Sequence, residues 1–223
     1  MPLDRTRPII YLITTGQTTC KTTPDCPEFF SILQLVEAAV ASNVSLIQLR
    51  EKDLSARVLF ELTKSAAAHT RGTTSRLLVN DRFDIALAAG ADGVQLTAQS
   101  MTADVVRAVC GSEFLIGVST HSLDEGRVAR DQGADFIVFG PVFETESKRV
   151  FGPAQGVEKL GEVARELPGF PVIAIGGMTV DNVTNCFNAS AAGVAAISLL
   201  SDVSTLPSVV RKLSTHYLLR SEI

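Results

Sequence analysis

The chain has 223 residues, of which 46% are hydrophobic and 20% charged, and its formal net charge is −4. This composition is typical of a globular protein, and the lack of a basic excess argues against nucleic-acid binding. No apolar run approaches the ~20 residues of a membrane-spanning helix, and the N-terminal apolar run is too short for a secretory signal. We therefore expect a cytoplasmic protein that binds neither nucleic acid nor membrane.

Short β-branched apolar runs recur along the chain and predict strands that are buried on both faces. These strands are Ile9–Thr14, Ser45–Arg50, Arg76–Asn80, Gly93–Leu96, Phe114–Val118, Asp135–Gly140, Pro171–Ile175 and Gly193–Ser198. Amphipathic segments between and after them predict helices. The helices are Glu28–Ala41, Ser55–His69, Asp84–Ala89, Thr102–Val109, Asp124–Gln132, Val157–Glu166, Val180–Phe187 and Leu206–Leu219.

Eightfold alternation of strand and helix predicts parallel strands joined by right-handed crossovers. We expect a (β/α)8 TIM barrel, with residues 1–223 forming a single domain, a core at about 8–201 and a C-terminal helix at about 206–219. A doubly wound open sheet is the alternative. Polar residues cluster just after the predicted strand ends, and a barrel would bring all of them to one mouth. That clustering favours the barrel.

Two polar groups stand where the second and third strands end. Alternation sends Gln48 and Arg50 to the same side of the strand, and with Lys52 they would suit a phosphate or diphosphate. Alternatively, Arg50 pairs with a neighbouring carboxylate. Asp81, which follows Asn80, could hold Mg²⁺ through water and substrate phosphates, or it could cap the next helix.

Glycines and a serine follow the last two predicted strands. Gly176 and Gly177 come after the seventh strand, and Ile197 and Ser198 come at the end of the eighth. TIM barrels often bind phosphate at these loops, where glycine lets backbone N–H groups approach the ligand. We predict a phosphate site here, although the two glycines could serve only a tight turn.

Two further stretches carry groups suited to chemistry. Thr145, Ser147 and Lys148 follow the sixth strand and form a plausible anion cradle, although polar loops are usually just solvated. His121, two residues after Ser119, could act as a general acid or base near neutral pH. A histidine at a strand-to-helix junction is as often a cap or a packing element.

The four cysteines are scattered along the chain. Cys20, Cys26, Cys110 and Cys186 form no CxxC pair, and the three histidines lie far apart, so zinc-ligand spacing is absent. We expect reduced thiols with mainly structural roles.

Four motifs in order resemble the thiamine phosphate synthase/thiazole tautomerase superfamily. They are QLREKD, LLVNDRFDIALAAGADGVQL, LIGVSTHSLDEGRVARDQGADFIVFGPVFETESK and PVIAIGGMT, and the resemblance spans about residues 8–201. It implies a TIM barrel that acts in thiamine biosynthesis. The synthase branch joins hydroxymethylpyrimidine diphosphate to carboxyethyl-thiazole phosphate and releases diphosphate.

The resemblance implies a role for each matching position. Positions that match the pyrimidine diphosphate site are Gln48, Arg50, Lys52, Asn80, Asp81, Ser119 and Lys148, with Asp81 as a Mg²⁺ ligand. Positions that match the thiazole phosphate site are Thr145, Ser147, Gly177, Ile197 and Ser198. Among these and the neighbouring histidine, we expect catalytic roles for Arg50, Ser119, His121 and Lys148.

The sequence departs from the synthase pattern after the fourth strand. Gln95 replaces the usual histidine, and Ser100 replaces the second Mg²⁺-binding aspartate, so metal affinity should fall. The departure favours the tautomerase branch, in which His121 stands at the acid/base position and no metal is needed. Gln48, Lys52 and Asp81 instead favour the synthase branch. A barrel that binds thiazole phosphate without turnover is a third reading, and a homo-oligomer is possible.

Overall fold

The computed structural model describes residue 3 and residues 6–144 and 154–219. Its strands are β1 Ile9–Ile13, β2 Leu46–Leu49, β3 Arg76–Asn80, β4 Gly93–Leu96, β5 Leu115–Thr120, β6 Phe136–Phe139, β7 Val172–Ile175 and β8 Gly193–Ala196. Its α-helices are α1 Pro27–Ala41, α2 Ala56–Thr70, α3 Phe83–Ala89, α4 Ala103–Cys110, α5 Leu123–Asp131, α6 Gly156–Glu166, α7 Val183–Asn188 and α8 Leu206–Leu219. A 3₁₀ turn at Ser198–Leu200 follows β8.

The strands form a closed parallel barrel in chain order, and β8 returns to pair with β1. This closure confirms the predicted (β/α)8 barrel and excludes the open sheet, which would leave those two strands as edges. None of the helices in the described segments is long and apolar enough to cross a membrane.

Most of the predicted elements differ from the structure by one to three residues at an end, and two of these differences have identifiable reasons. Helix α7 begins at Val183 rather than Val180, because the Asn182 side chain accepts a hydrogen bond from Thr179 N and closes a turn there. Strand β5 continues beyond Val118, because Ser119 and Thr120 pair with β6. Ser119 therefore lies within a strand and not after its end.

Alternating side chains divide the core into an outer and an inner layer. The outer layer packs between the strands and the helices, and it includes Ile47, Leu49, Leu77 and Val79. The inner layer fills the barrel axis with Ile9, Tyr11, Ile13, Leu46, Leu78, Leu115, Phe136, Val138, Ile173 and Ala195. Fully burying one side chain of the Leu or Ile class contributes about 1.5–3 kcal/mol, so both layers stabilise the barrel.

The inner layer changes from apolar to polar toward the carboxyl ends of the strands. Gln48 lies two residues beyond the apolar Leu46, and it is almost completely buried, as is Gln95 on β4. A Cβ at Gly117 would lie 2.4 Å from Gln95 Oε1 and 2.3 Å from the Phe136 ring. Glycine at this position of β5 therefore makes room for the Gln95 amide inside the barrel.

Candidate active site

Gln48 and Asn80 form the first polar pair of the barrel mouth. Gln48 Nε2 donates a hydrogen bond to Asn80 Oδ1 at 3.1 Å, across the neighbouring strands β2 and β3. Gln48 is only 2% exposed, yet its Oε1 has no hydrogen-bond partner in the structure. Buried polar atoms are rarely left unpaired. This oxygen is therefore an acceptor suited to a ligand that carries an N–H or O–H donor.

Tyr11, Gln95 and Ser119 form a second chain of hydrogen bonds. Burial raises the pKa of Tyr11 well above its ordinary value, so its phenol is neutral and donates to Gln95 Oε1 at 3.1 Å. Gln95 Nε2 in turn donates to Ser119 Oγ at 3.0 Å. Because Ser119 accepts from Gln95, its own O–H is directed elsewhere, and it can serve as a donor at the mouth.

Arg50 follows β2 and lies against the loop between β1 and α1. Its backbone N–H donates to Thr14 Oγ1 at 2.8 Å, and a Cβ at Gly16 would lie 3.3 Å from its guanidinium. The neighbouring carboxylate, Glu51, accepts hydrogen bonds from this loop. The Glu51 carboxylate is therefore used by the loop and is not the ion-pair partner that the alternative interpretation assigned to Arg50.

A cleft of about 280 Å³ opens between the loops that follow β2 and β3. Its polar wall includes Lys52, Asn80 and Asp81, and its other lining residues are Leu49, Glu51, Leu54, Leu59, Arg82, Thr97 and Gln99. The three leucines belong to the outer core layer, so the cleft lies beside the barrel axis. Cationic and carboxylate groups thus share a partly apolar recess.

Asp81 is exposed and adopts a left-handed backbone conformation, with φ of +64°. Its backbone N–H donates to the Gln95 carbonyl at 2.9 Å. Helix α3 has Arg82 as its N-cap residue and no side-chain capping bond, so the expectation that Asp81 caps this helix is wrong. Non-glycine residues in this conformation cluster at functional sites, where the surrounding structure holds them.

Arg82 lines the cleft and is engaged by an ion pair with Asp84. Its Nε and one terminal nitrogen donate to the two Asp84 carboxylate oxygens at 2.8 and 2.6 Å. The hydrogen bond with Arg82 lowers the pKa of Asp84, and the same bond raises the pKa of Arg82. Asp81 therefore keeps its carboxylate available at the cleft.

Ser100 closes a turn with Thr97. Its Oγ accepts from Thr97 N at 2.8 Å and lies 3.1 Å from Thr97 Oγ1. Thr97 and Gln99 line the cleft. The Ser100 hydroxyl is thus adjacent to the cleft in the chain but is used for local structure.

His121 bridges the ends of β5 and β6. Its Nδ1 lies within hydrogen-bond distance of the Gly140 carbonyl oxygen. A carbonyl can only accept, so Nδ1 carries the proton and Nε2 is the basic nitrogen of the neutral ring. The His121 backbone N–H donates to Glu125, and Ser122 Oγ accepts from Glu125 N at the start of α5.

Gly177 and Ser198 follow the paired strands β7 and β8. Gly177 has φ of +63°, and a Cβ there would lie 2.7 Å from the Glu144 carbonyl oxygen. Asn182 Nδ2 donates to the Gly177 carbonyl at 2.8 Å, which fixes the turn. Ile197 precedes the 3₁₀ turn, and the exposed Ser198 begins it. The predicted phosphate-site residues therefore lie on adjacent loops.

Three predicted residues, Thr145, Ser147 and Lys148, lie outside the described residues. The structure brings two other residues to the site that sequence reasoning missed, Tyr11 and Glu51. Tyr11 has the strand periodicity that places it inside the barrel. No feature of the sequence indicated a role for Glu51. Alternation sends its side chain away from the side of Arg50, and the hydrogen-bond partners of Glu51 come from a loop that is distant in the chain.

A (β/α)8 barrel with amides, cations and a carboxylate at its C-terminal mouth has the architecture of a barrel enzyme that handles small phosphorylated molecules. The family model described as thiamine monophosphate synthase matches residues 10–200. The chain therefore belongs to the thiamine monophosphate synthase family, which confirms the resemblance inferred from its motifs.

Several relatives share this family. A Geobacter sulfurreducens protein, provisionally named a thiamine-phosphate synthase, is 48% identical over 169 residues, which are 76% of this chain and 79% of the relative. The thiamine-phosphate synthase of Syntrophomonas wolfei is 38% identical over 183 residues, or 82% and 87% of the two chains. The solved structure of thiamine phosphate pyrophosphorylase from Pyrococcus furiosus has a TM-score of 0.78 at 29% identity, covering 97% of this chain and 98% of that one.

Proposed function

We propose that this chain is a thiamine-phosphate synthase, which joins hydroxymethylpyrimidine diphosphate to the thiazole phosphate and releases diphosphate. The observations that carry the proposal are that Lys52, Asn80 and Asp81 line one cleft and that Gln48 donates to Asn80. Arg50 directly follows β2 at the same end of the barrel. A proton transfer alone has no evident need for this set. The relatives named as synthases support the same reading.

The chemistry needs a stabilised leaving group and an oriented nucleophile. The carbon–oxygen bond to diphosphate breaks and its electron pair leaves with the diphosphate, while the pyrimidine delocalises the positive charge that remains. Arg50 and Lys52 would stabilise the departing negative charge. The thiazole nitrogen then forms the new bond to the same carbon, and the phosphate site at Gly177 and Ser198 would hold it in position.

Mg²⁺ fits the donor groups on the diphosphate side of the mouth. Within the segments that the structure describes, no cluster of three or more His, Cys, Asp or Glu side chains could hold a metal ion. Mg²⁺ is, however, commonly bound by one or two carboxylates together with substrate phosphates. Asp81 would supply the carboxylate, and the ion would neutralise charge on the diphosphate oxygens.

A second candidate function is thiazole tautomerisation, and the geometry of His121 favours it. The bond from Nδ1 to Gly140 fixes the tautomer whose Nε2 can accept a proton. Ser100, which stands where the synthase pattern has an aspartate, is used in the Thr97 turn. A tautomerase would require neither diphosphate nor metal.

The deciding experiment is an assay of purified protein with both phosphorylated substrates, with and without Mg²⁺, in which thiamine phosphate is measured directly. Metal-dependent product is expected. Asp81→Asn should lower the rate by at least ~10–100-fold, the cost known for groups that only support a metal ligand. Asp53→Asn removes a nearby exposed carboxylate that does not line the cleft, so it controls for net charge. Absence of product at high Mg²⁺, together with tautomerase activity, would select the second function.

A further inference from the structure

Glu51 is a buried carboxylate whose hydrogen bonds all go to the loop between β1 and α1. It is 3% exposed. Oε1 accepts from Thr14 Oγ1 and from Gly16 N, and Oε2 accepts from Thr18 Oγ1 at 2.6 Å and from Thr18 N at 3.4 Å. A carboxylate offers about four lone-pair sites, so these four donors occupy its acceptor capacity.

The same loop is held against Arg50 at two points. Thr14 Oγ1 donates to Glu51 and accepts from Arg50 N, so one hydroxyl links the two neighbouring residues of the β2 end. A Cβ at Gly16 would lie 3.0 Å from the Arg50 carbonyl oxygen and 3.3 Å from its guanidinium. Movement of Gly16 would therefore change the space available to the Arg50 side chain.

We propose that Glu51 is a positioning residue, which fixes the Thr14–Thr18 loop against Arg50 and so preorganises that guanidinium for the diphosphate group. This inference rests on the proposed function. The Glu51 carboxylate is neither a base nor a metal ligand in this arrangement, because its oxygens are already used by the loop. Preorganised groups bind charge more tightly, since they need no rearrangement when the ligand arrives.

Binding of inorganic diphosphate, measured by calorimetry in the presence of Mg²⁺, tests the proposal without requiring turnover. Glu51→Gln replaces one acceptor oxygen by an N–H donor that faces the donors of the loop. We expect its Kd for diphosphate to rise about 3- to 30-fold, which lies within the range of coupling between members of one hydrogen-bond network. In an Arg50→Ala background, the same change should alter Kd by less than about twofold.

Two other variants separate positioning from general destabilisation. Ser75→Ala removes a buried hydrogen bond to Val44 at the other end of the barrel, so it should lower thermal stability and leave Kd unchanged. Thr14→Val breaks the link between Glu51 and Arg50 and should weaken binding as Glu51→Gln does. Thr14→Ser keeps the hydroxyl and should restore binding. This pair decides the question if Glu51→Gln does not fold.

The possible failures are distinguishable. If the wild type binds diphosphate and Glu51→Gln binds it equally well, the positioning role is wrong while the proposed function stands. An equal loss in the Arg50→Ala background would also overturn the role, because Glu51 would then not act through Arg50. If the wild-type chain binds no diphosphate, the proposed function fails at its substrate site and the inference fails with it.

Discussion

Gln48 donates a hydrogen bond to Asn80 at 3.1 Å, while the other polar atom of the same amide, Oε1, is buried without a partner. The neighbouring amide of Gln95 differs, because Tyr11 donates to its oxygen and Ser119 accepts from its nitrogen. Both amides are 2% exposed. Both polar atoms of the Gln95 amide are thus bonded within the protein, whereas the Gln48 amide has an acceptor left for a ligand.

This difference predicts that replacing Gln48 affects activity more than stability, whereas replacing Gln95 lowers stability. Gln48→Met removes a poorly satisfied buried amide, so the free energy of unfolding should change by about 1 kcal/mol or less. Gln95→Met leaves the Tyr11 hydroxyl without its acceptor and should cost about 1–3 kcal/mol. Urea unfolding measures both values, and steady-state assays should show that Gln48→Met still loses activity. A larger loss of stability in Gln48→Met than in Gln95→Met would contradict this account.

Gly177 allows a second comparison, with Gly72 as a matched control. Both have positive φ, +63° and +78°, but a Cβ at Gly72 would meet nothing within 4 Å. Gly72→Ala should therefore cost only the left-handed strain of about 1–2 kcal/mol. Gly177→Ala adds a clash with Glu144 and Phe143, and overpacking of this kind costs a further ~1–3 kcal/mol.

The ligand readout makes the Gly177 prediction specific to the site. Affinity for the thiazole phosphate, measured by calorimetry, should fall in Gly177→Ala and stay at the wild-type value in Gly72→Ala. Equal affinities in the two variants would show that the turn after β7 does not form part of the phosphate site.

The fold was predictable from sequence because the strands are continuous apolar runs separated by amphipathic segments. Closure of the barrel was inferred from polar residues at strand ends, and the pairing of β8 with β1 confirms it. The network around Glu51 was not predictable, because Thr14 and Thr18 lie more than 30 residues away in the chain. The orphaned oxygen of Gln48 likewise depends on side-chain placement and not on residue type.

The cysteines give a prediction about chemical reactivity. Burial raises the pKa of Cys186 to about 12, whereas Cys20 is exposed. Alkylation of the native protein at pH 8, followed by mass spectrometry, should modify Cys20 and leave Cys186 intact, because the thiolate is the reactive form. Rapid native labelling of Cys186 would contradict its placement.

The same pKa shift affects stability. Since the folded pKa of Cys186 lies above the unfolded one, the stability contributed by the neutral thiol is present below pH ~9 and is lost as pH rises toward ~12.

Ser100 tests whether one residue limits the metal site. Ser100→Asp should preserve the turn, because an aspartate side chain can accept the Thr97 N–H as the serine does. It also adds a carboxylate next to the cleft, so we expect affinity for Mg²⁺ in the presence of diphosphate to rise about tenfold, or about 1.4 kcal/mol. Ser100→Asn has the same shape without the charge and should show no gain. An equal gain in both variants would show that charge is not the cause.

His121→Asn separates the two candidate reactions. An asparagine amide can replace Nδ1 as the donor to the Gly140 carbonyl, so thermal unfolding should change little. It has no basic nitrogen, and general acid–base catalysis contributes about 10²–10⁴-fold. If the chain is a synthase, thiamine phosphate formation should fall less than about threefold in the variant. If it is a tautomerase, the rate of aromatisation of the thiazole phosphate tautomer should fall by about 10²–10⁴-fold. A 100-fold loss of synthase activity without loss of stability would instead place His121 in the condensation reaction itself.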